Sequence, residues 1–70
     1  MEKTRVDSSN LYAIGYDEEI KVLEVEFNSG QVYEYYNVPK VIYSALMSAA
    51  SHGQYFSQNI RTSYKYKRIV

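Results

Sequence analysis

The sequence predicts a small α+β domain, in which an antiparallel β-meander of three to four strands carries two helices packed on one face. Apolar residues alternate with charged or polar ones along segments 21–27 and 31–35, which is typical of half-buried strands. A proline at position 39 precedes a long, mostly apolar segment with the length of a helix. Because 70 residues suffice for one domain, we assign residues 1–70 to a single domain.

The first half of the chain carries the strand signals. Segment 4–9 alternates weakly, and segment 11–16 indicates a strand that ends at the acidic turn around Glu18 and Glu19. Segment 21–27 is clearer, because Leu23, Val25 and Phe27 alternate with glutamates. One face of this strand is therefore expected in the core and the other in solvent.

The connection at 28–30 decides which face the next strand presents. A two-residue turn would place Tyr33 and Tyr35 on the same face as the glutamates. A three-residue loop with Gly30 in the left-handed conformation instead aligns Tyr33 with Val25 and Tyr35 with Leu23. We favour the second register, which places both tyrosines on the covered face.

The first helix is expected to start near Pro39 and to continue to about Ala50, since the missing N–H of proline has no intrahelical partner in a first turn. Polar residues recur only at positions 40, 44 and 48, so the apolar surface is wider than packing on one sheet requires. We therefore predict that Tyr43, Met47 and Ala50 face a second subunit or another partner, and we expect a homo-oligomer.

The last part of the chain predicts a short helix followed by a terminal strand. Ser51 and Gln54 have the spacing of a capping box, with the serine at the N-cap. Tyr64, Tyr66 and Arg68 then alternate with other residues, which favours a strand with these three side chains on one face.

Composition argues against catalysis and against a metal centre. The chain has no cysteine and a single histidine, His52, so a thiolate site or a histidine cluster cannot form, and we expect no cofactor. Ser8 and Ser9 have no obvious activating base beside them, so we predict no catalytic residues and no enzyme. Glutamates at positions 24, 26 and 34 favour a solvent-exposed face over a metal site.

Charge and hydropathy limit the partners. The net charge is zero, whereas proteins that wrap a long nucleic acid usually have an excess of lysine and arginine. The expected anion is therefore small or contacted locally. No apolar run approaches the roughly 20 residues that span a bilayer, and the N-terminus leads into no signal-peptide core. We expect a cytoplasmic protein without a membrane partner.

Short motifs in a characteristic order extend along nearly the whole chain, with a central Tyr-x-Tyr at Tyr33 and Tyr35. They are Val6-Asp7-Ser8-Ser9, Ile14-Gly15-Tyr16-Asp17, Leu23-Glu24-Val25-Glu26-Phe27, Gly30, Tyr33-Glu34-Tyr35, Val38-Pro39, Tyr43, Leu46, Ser51-His52-Gly53, Tyr55-Phe56, Ile60-Arg61 and Tyr64-Lys65-Tyr66. By their order and spacing the chain resembles the KTSC domain. This family is named for the C-terminal appendage of some lysyl-tRNA synthetases and also occurs as free-standing small proteins of bacteria and phages. It has no established activity, and its synthetase context suggests RNA binding.

Aromatic and basic residues near the C-terminus form the best candidate ligand site. Rings that share a face can stack on bases, and the guanidinium fork of Arg61 suits a phosphate or a carboxylate. The alternative is a solvated tail in which Arg61 pairs with Asp17 or another acid. The candidate ligand-binding residues are Arg61, Tyr64, Lys65, Tyr66, Lys67 and Arg68, together with Ser8, Ser9, Tyr33 and Tyr35.

Three hypotheses about function remain open from the sequence. The first is a non-catalytic module that binds a nucleotide-type ligand and, in a phage-type protein, sequesters a nucleotide signal. The second is RNA binding of the kind that the synthetase appendage suggests, which requires an exposed basic and aromatic strip. The third is a protein-interaction module that docks through the surface of the first helix.

Overall fold

The structure is a computed structural model that describes residues 2–70. Its elements form one antiparallel sheet, ordered β1-β2-β3-β4-β5, with both helices between β4 and β5 in sequence. The α+β class is confirmed, with five strands where three to four were expected. Neither helix of residues 2–70 is long and apolar enough to cross a membrane. The elements are β1 (Lys3–Arg5), β2 (Leu11–Asp17), β3 (Val22–Phe27), β4 (Val32–Tyr35), α1 (Lys40–Ser48), α2 (His52–Asn59) and β5 (Tyr66–Arg68).

The hydrophobic core joins one face of the sheet to both helices. Leu23 and Val25 of β3 are fully buried in one cluster with Leu46 of α1, Phe56 of α2 and Ile60. Each such side chain contributes roughly 1.5–3 kcal/mol when it leaves water. Because α1 and α2 each place one fully or nearly fully buried residue in this cluster, the core fixes both helices against the sheet.

A β-bulge in β2 brings more apolar side chains to this core. The pairing of β2 with β3 shifts register between Leu11 and Ala13, so Tyr12 is the extra residue and is exposed. Plain alternation would send Leu11 and Ile14 to opposite faces of the sheet. With the bulge, both residues join the core cluster.

The register predicted for the β3–β4 hairpin is confirmed. Tyr33 lies opposite Val25 and Tyr35 lies opposite Leu23. Gly30 has φ +96°, and its N–H donates to the carbonyl of the last β3 residue at 2.9 Å. The hairpin therefore places both tyrosines of β4 on the face that the helices cover.

Replacing Gly30 with alanine is expected to lower the free energy of unfolding by about 1–2 kcal/mol, because residues with a Cβ rarely adopt this backbone conformation. A Cβ at this position would meet no atom within 4 Å, so the loss reflects backbone strain and not a clash. Urea unfolding of Gly30→Ala and Gly30→Asn tests this. Asparagine tolerates the left-handed region better, so Gly30→Asn should lose less stability. Equal midpoints for Gly30→Ala and the wild type would contradict the prediction.

The helices begin as predicted, and α1 ends earlier than the expected Ala50. Its last residue is Ser48, because Ala49 is extended, with ψ 144°. The Nδ1 atom of His52 lies 2.8 Å from the Leu46 carbonyl oxygen and must carry the proton to donate there, so this histidine helps to close the end of α1. At the start of α2, Ser51 Oγ accepts a hydrogen bond from the backbone N–H of Gln54 at 3.2 Å.

Candidate functional site

A cleft of about 920 Å³ opens where the sheet, the first turns of α2 and three loops meet. Its volume falls in the range of sites that enclose small organic ligands. The loops are segments 6–10, 28–31 and 60–65. The first two are adjacent because β2 pairs with β3, and the Asn28 N–H donates to the Asn10 carbonyl at 2.8 Å. The third lies beside them because Phe56 of α2 packs on Phe27. The lining residues are Ser9, Asn10, Leu11, Phe27, Asn28, Ser29, Gln31, Tyr33, Tyr35, Gly53, Phe56, Ser57, Arg61, Thr62, Tyr64 and Tyr66.

Five rings in mutual contact form the base of the cleft, and we call them the aromatic floor: Phe27, Tyr33, Tyr35, Phe56 and Tyr66. Phe56 meets the rings of Phe27 and Tyr35 edge-on, with centroids 5.6 and 5.4 Å apart. Tyr66 lies 5.7 Å from Tyr33 and 5.6 Å from Tyr35, measured between centroids. Strand pairing produces this arrangement, because Tyr66 lies directly opposite Tyr35. Phe27, Tyr33 and Tyr66 keep accessible ring surface on which a flat ligand can stack, whereas Tyr35 and Phe56 are almost fully buried.

The hydroxyl of Tyr35 has no hydrogen-bond partner within residues 2–70, although the residue is only 3% exposed. The hydroxyls of Tyr16 and Tyr36, by contrast, donate to Val38 and Glu34. No fully buried side-chain nitrogen or oxygen of the described residues lacks a partner, so the Tyr35 oxygen keeps some access to solvent, and Tyr35 is among the residues that line the cleft. Burial raises the pKa of Tyr35 to about 12, which keeps this hydroxyl protonated near neutral pH.

Arg61 is the only charged residue among those that line the cleft in residues 2–70. It directly follows the fully buried Ile60, and its N–H donates to the Phe56 carbonyl at 3.0 Å, so the end of α2 fixes its backbone. Its positive charge opposes the rise in the pKa of Tyr35, and both residues line the same cleft. The guanidinium is available for a ligand that carries negative charge.

The alternative partner for Arg61, an acid of the strand region, is not observed. Asp17 instead accepts hydrogen bonds from the backbone N–H groups of Glu19 and Ile20. The ion pairs recorded for residues 2–70 do not include Arg61; they join Lys3 to Glu24 and Glu26, and Lys40 to Glu18.

Hydroxyl and amide side chains form the rim of the cleft. Asn28 fixes the hairpin loop to the first loop, because its side-chain amide donates to the Ser8 carbonyl at 3.1 Å. Ser8 Oγ accepts from the N–H groups of Asn10 and Leu11, each at 3.2 Å, so this serine stabilises its own loop. A Cβ added to Gly53 would lie 3.3 Å from Ser8 Oγ, so glycine permits the close approach of α2 to this loop.

The cleft brings together only part of the predicted ligand site. Lys67 lies opposite Glu34 in the sheet, on the face that carries the glutamates. Arg68 donates through Nε to the Val70 carbonyl at 2.9 Å. The residues that line the cleft as a group are Arg61, Tyr64, Tyr66, Tyr33, Tyr35 and Ser9, whereas Ser8, Lys65, Lys67 and Arg68 lie outside its lining.

The residues predicted to face a partner lie on α1 and just beyond it. Tyr43 stacks on Tyr16, with ring centroids 4.7 Å apart and planes 9° from parallel. Both Tyr43 and Met47 are half-buried against the core cluster, whereas Ala50 is exposed. Much of the wide apolar surface of the helix therefore packs within the domain, and Val41 is its most exposed large apolar residue.

The glutamates of the sheet contact a lysine of the edge strand. Lys3 Nζ lies 2.8 Å from Glu26 Oε1 and 3.4 Å from Glu24 Oε2, and the hydrogen bond to Glu26 raises the pKa of Lys3. Within residues 2–70, no group of three or more His, Cys, Asp or Glu side chains is placed to hold a metal ion.

The sequence interpretation missed the amide rim and the two phenylalanines of the floor. Asn10 belongs to one loop and Asn28 and Gln31 to another, and each loop has the composition of an ordinary turn. Phe56 enters the sequence analysis only within the Tyr55-Phe56 motif. The missing signal was spatial, since the cleft needs both the pairing of β2 with β3 and the packing of α2 over the hairpin. The sequence features that pointed to this region were the register that put Tyr33 and Tyr35 on the covered face and the residue types at positions 61, 64 and 66.

Comparisons with known proteins assign the family. The KTSC domain model matches residues 7–64. A protein of Stutzerimonas stutzeri is 43% identical over 70 residues and is covered over 99% of its length. The crystal structure of a KTSC domain protein from Yersinia pestis superposes with a TM-score of 0.93 at 33% identity, covering 99% of this chain and 97% of that one. A lysine–tRNA ligase of Nostoc is 36% identical over 63 residues, which are 90% of this chain but 11% of the ligase. The chain belongs to the KTSC domain family.

Proposed function

We propose that this protein is a non-catalytic binding module whose cleft holds a nucleotide-type small molecule. The observation that carries the proposal is the combination of the aromatic floor with a single arginine and a rim of neutral hydrogen-bonding groups. A nucleotide has the matching parts, namely a flat base, a sugar with hydroxyls and an anionic phosphate.

Each part of the cleft suits one part of that ligand. Stacking a base on aromatic side chains contributes about 1–3 kcal/mol, whichever base it is. The amides of Asn10, Asn28 and Gln31 can donate to and accept from base edges or ribose hydroxyls. Arg61 can hold a phosphate with a fork of N–H donors. The absence of acidic side chains from the described lining leaves the phosphate without a repelling neighbour.

RNA binding is the second candidate function, because a lysine–tRNA ligase contains a domain similar to this chain. The basic residues of β5 are exposed, as a contact with RNA requires. Lys67, however, lies opposite Glu34 in the sheet and outside the cleft. The net charge of zero also counts against a long polyanion. We therefore favour a small ligand in the cleft.

Arg61→Ala is expected to weaken nucleotide binding by about 10- to 100-fold. It should leave the free energy of unfolding within about 0.5 kcal/mol of the wild type, because the side chain is exposed. Native mass spectrometry of protein purified from cells, followed by addition of a defined mixture of nucleotides, measures the bound mass directly. The same spectra show whether subunits associate.

Lys67→Ala is the matched control, since it removes one positive charge near the same end of the chain but outside the cleft. It should bind nucleotides as the wild type does. Nucleotide binding that is not weakened in Arg61→Ala, or that Lys67→Ala weakens to the same extent, would contradict the assignment to the cleft. If no nucleotide binds but a transfer RNA does, the second candidate replaces the first.

A further inference from the structure

We propose further that the cleft selects a nucleotide whose phosphate carries one negative charge, a small cyclic phosphodiester, which the guanidinium of Arg61 and the hydroxyl of Tyr35 hold together. This inference rests on the proposed function and names its ligand class.

The charge of the lining supports a ligand with one negative charge. Arg61 supplies the one positive charge of the described lining, and no carboxylate opposes it. A phosphodiester carries a single negative charge, whereas a terminal phosphate carries about −1.5 to −2 at pH 7. A second negative charge on the ligand would lie over the aromatic floor without a positively charged partner, and burying an uncompensated charge is costly.

Nothing in the described lining supplies a second cation. Di- and triphosphates usually bind with Mg²⁺, which proteins hold through carboxylates. The cleft lining has no Asp or Glu, and residues 2–70 contain no cluster of metal-ligating side chains. A di- or triphosphate would therefore enter the cleft with most of its charge unmatched.

The hydroxyl of Tyr35 completes the phosphate site with a neutral donor. It belongs to a lining residue that is 3% exposed, and it makes no hydrogen bond within residues 2–70. Its oxygen keeps some access to solvent, so an oxygen of a ligand in the cleft can take the place of water as its partner. A phenol and a guanidinium together satisfy two phosphate oxygens while adding only one positive charge.

A small ligand fits this site better than a strand of RNA. A strand needs positive side chains that follow its successive phosphates. The other basic residues near the cleft, Lys65, Lys67 and Arg68, do not line it, and Lys67 lies opposite Glu34. The cleft thus offers one phosphate position and no positively charged path that leads away from it.

The test is a charge series on a constant base, measured by isothermal titration calorimetry at neutral pH. Adenosine, 3′,5′-cyclic AMP, AMP and ADP form one series, and the corresponding guanine compounds form a second. In the series whose base fits, the cyclic monophosphate is expected to bind about 10- to 100-fold more tightly than the nucleoside. It should also bind about tenfold more tightly than the open monophosphate and the diphosphate.

Two variants assign the phosphate site. Tyr35→Phe keeps the ring of the floor and removes only the hydroxyl, so cyclic monophosphate binding should weaken by about tenfold while nucleoside binding stays the same. Arg61→Ala should weaken cyclic monophosphate binding by about 10- to 100-fold, to the level of the nucleoside. Lys67→Ala should change neither the binding of the cyclic monophosphate nor that of the nucleoside.

Several results overturn the inference while leaving the proposed function intact. Tighter binding of the open monophosphate or the diphosphate would contradict the single-charge site, and equal binding of the nucleoside would remove the role of the phosphate. Oligoadenylates whose affinity rises with length would show a strand site instead. If no member of either series binds, although nucleotides were the ligands tested, the proposed function itself fails.

Discussion

Phe56→Ala is expected to unfold most of the protein near room temperature. Truncating a buried phenylalanine costs about 3–5 kcal/mol, and a single core in a domain below about 70–80 residues rarely supplies more than about 3–5 kcal/mol in total. Phe56 is 4% exposed and is the buried residue of α2. Its ring meets those of Phe27 and Tyr35 edge-on, so the substitution removes the contact that holds α2 over the hairpin.

Circular dichroism during urea unfolding measures this effect. Gln58→Ala, an exposed change in the same helix, is the control and should alter the free energy of unfolding by no more than about 0.5 kcal/mol. The free energy of unfolding of Phe56→Leu should lie between those of Phe56→Ala and Gln58→Ala, since leucine keeps part of the buried volume. If Phe56→Ala unfolded with the same midpoint as Gln58→Ala, the core would not depend on this ring. Because Phe56 also belongs to the aromatic floor, loss of the fold and loss of the cleft should occur together.

The parts of the fold that depend on local signals were predictable from the sequence. The N-cap at Ser51 and the helix start at Pro39 follow from backbone groups within one turn. The β3–β4 register followed from one glycine and from the requirement that apolar residues share a face. The bulge at Tyr12 was not predictable, because it arises from pairing between strands and leaves no signature in the alternation of β2 itself.

Only part of the candidate site was predictable from the sequence, because its residues come from segments that tertiary structure brings together. Arg61, Tyr64 and Tyr66 were identified by their residue types, which are the types that bind nucleotides. The amides of the rim come from two loops that are distant in sequence, and the pairing of β2 with β3 brings these loops together. Lys67 was grouped with the site by proximity in sequence, whereas alternation along β5 turns it toward Glu34 on the opposite face. The residue types indicated the chemistry of the site, and tertiary packing determined which of these residues line the cleft.

Raising the pH above about 10 is expected to destabilise the protein through Tyr35. Burial raises the pKa of this phenol from 10.0 to about 12 in the folded state, while the unfolded chain keeps the ordinary value. The unfolded state therefore loses its proton first as the pH rises. The stabilisation is complete below about pH 10 and is lost between about pH 10 and 12, which amounts to about 2–3 kcal/mol. Urea unfolding at a series of alkaline pH values measures the decline.

Tyr35→Phe isolates this contribution, because it removes the titrating hydroxyl and keeps the buried ring. Burial also raises the pKa of Tyr16, so the variant should retain a shallower decline and not a flat profile. Parallel pH profiles for Tyr35→Phe and the wild type would show that the phenol titrates alike in the folded and unfolded states. Deprotonation of the folded state near pH 12 removes the hydrogen that Tyr35 would donate to a phosphate, so binding of a cyclic monophosphate to the wild type should weaken only as the pH approaches that value. In Tyr35→Phe, where that donor is already absent, binding should depend less on pH.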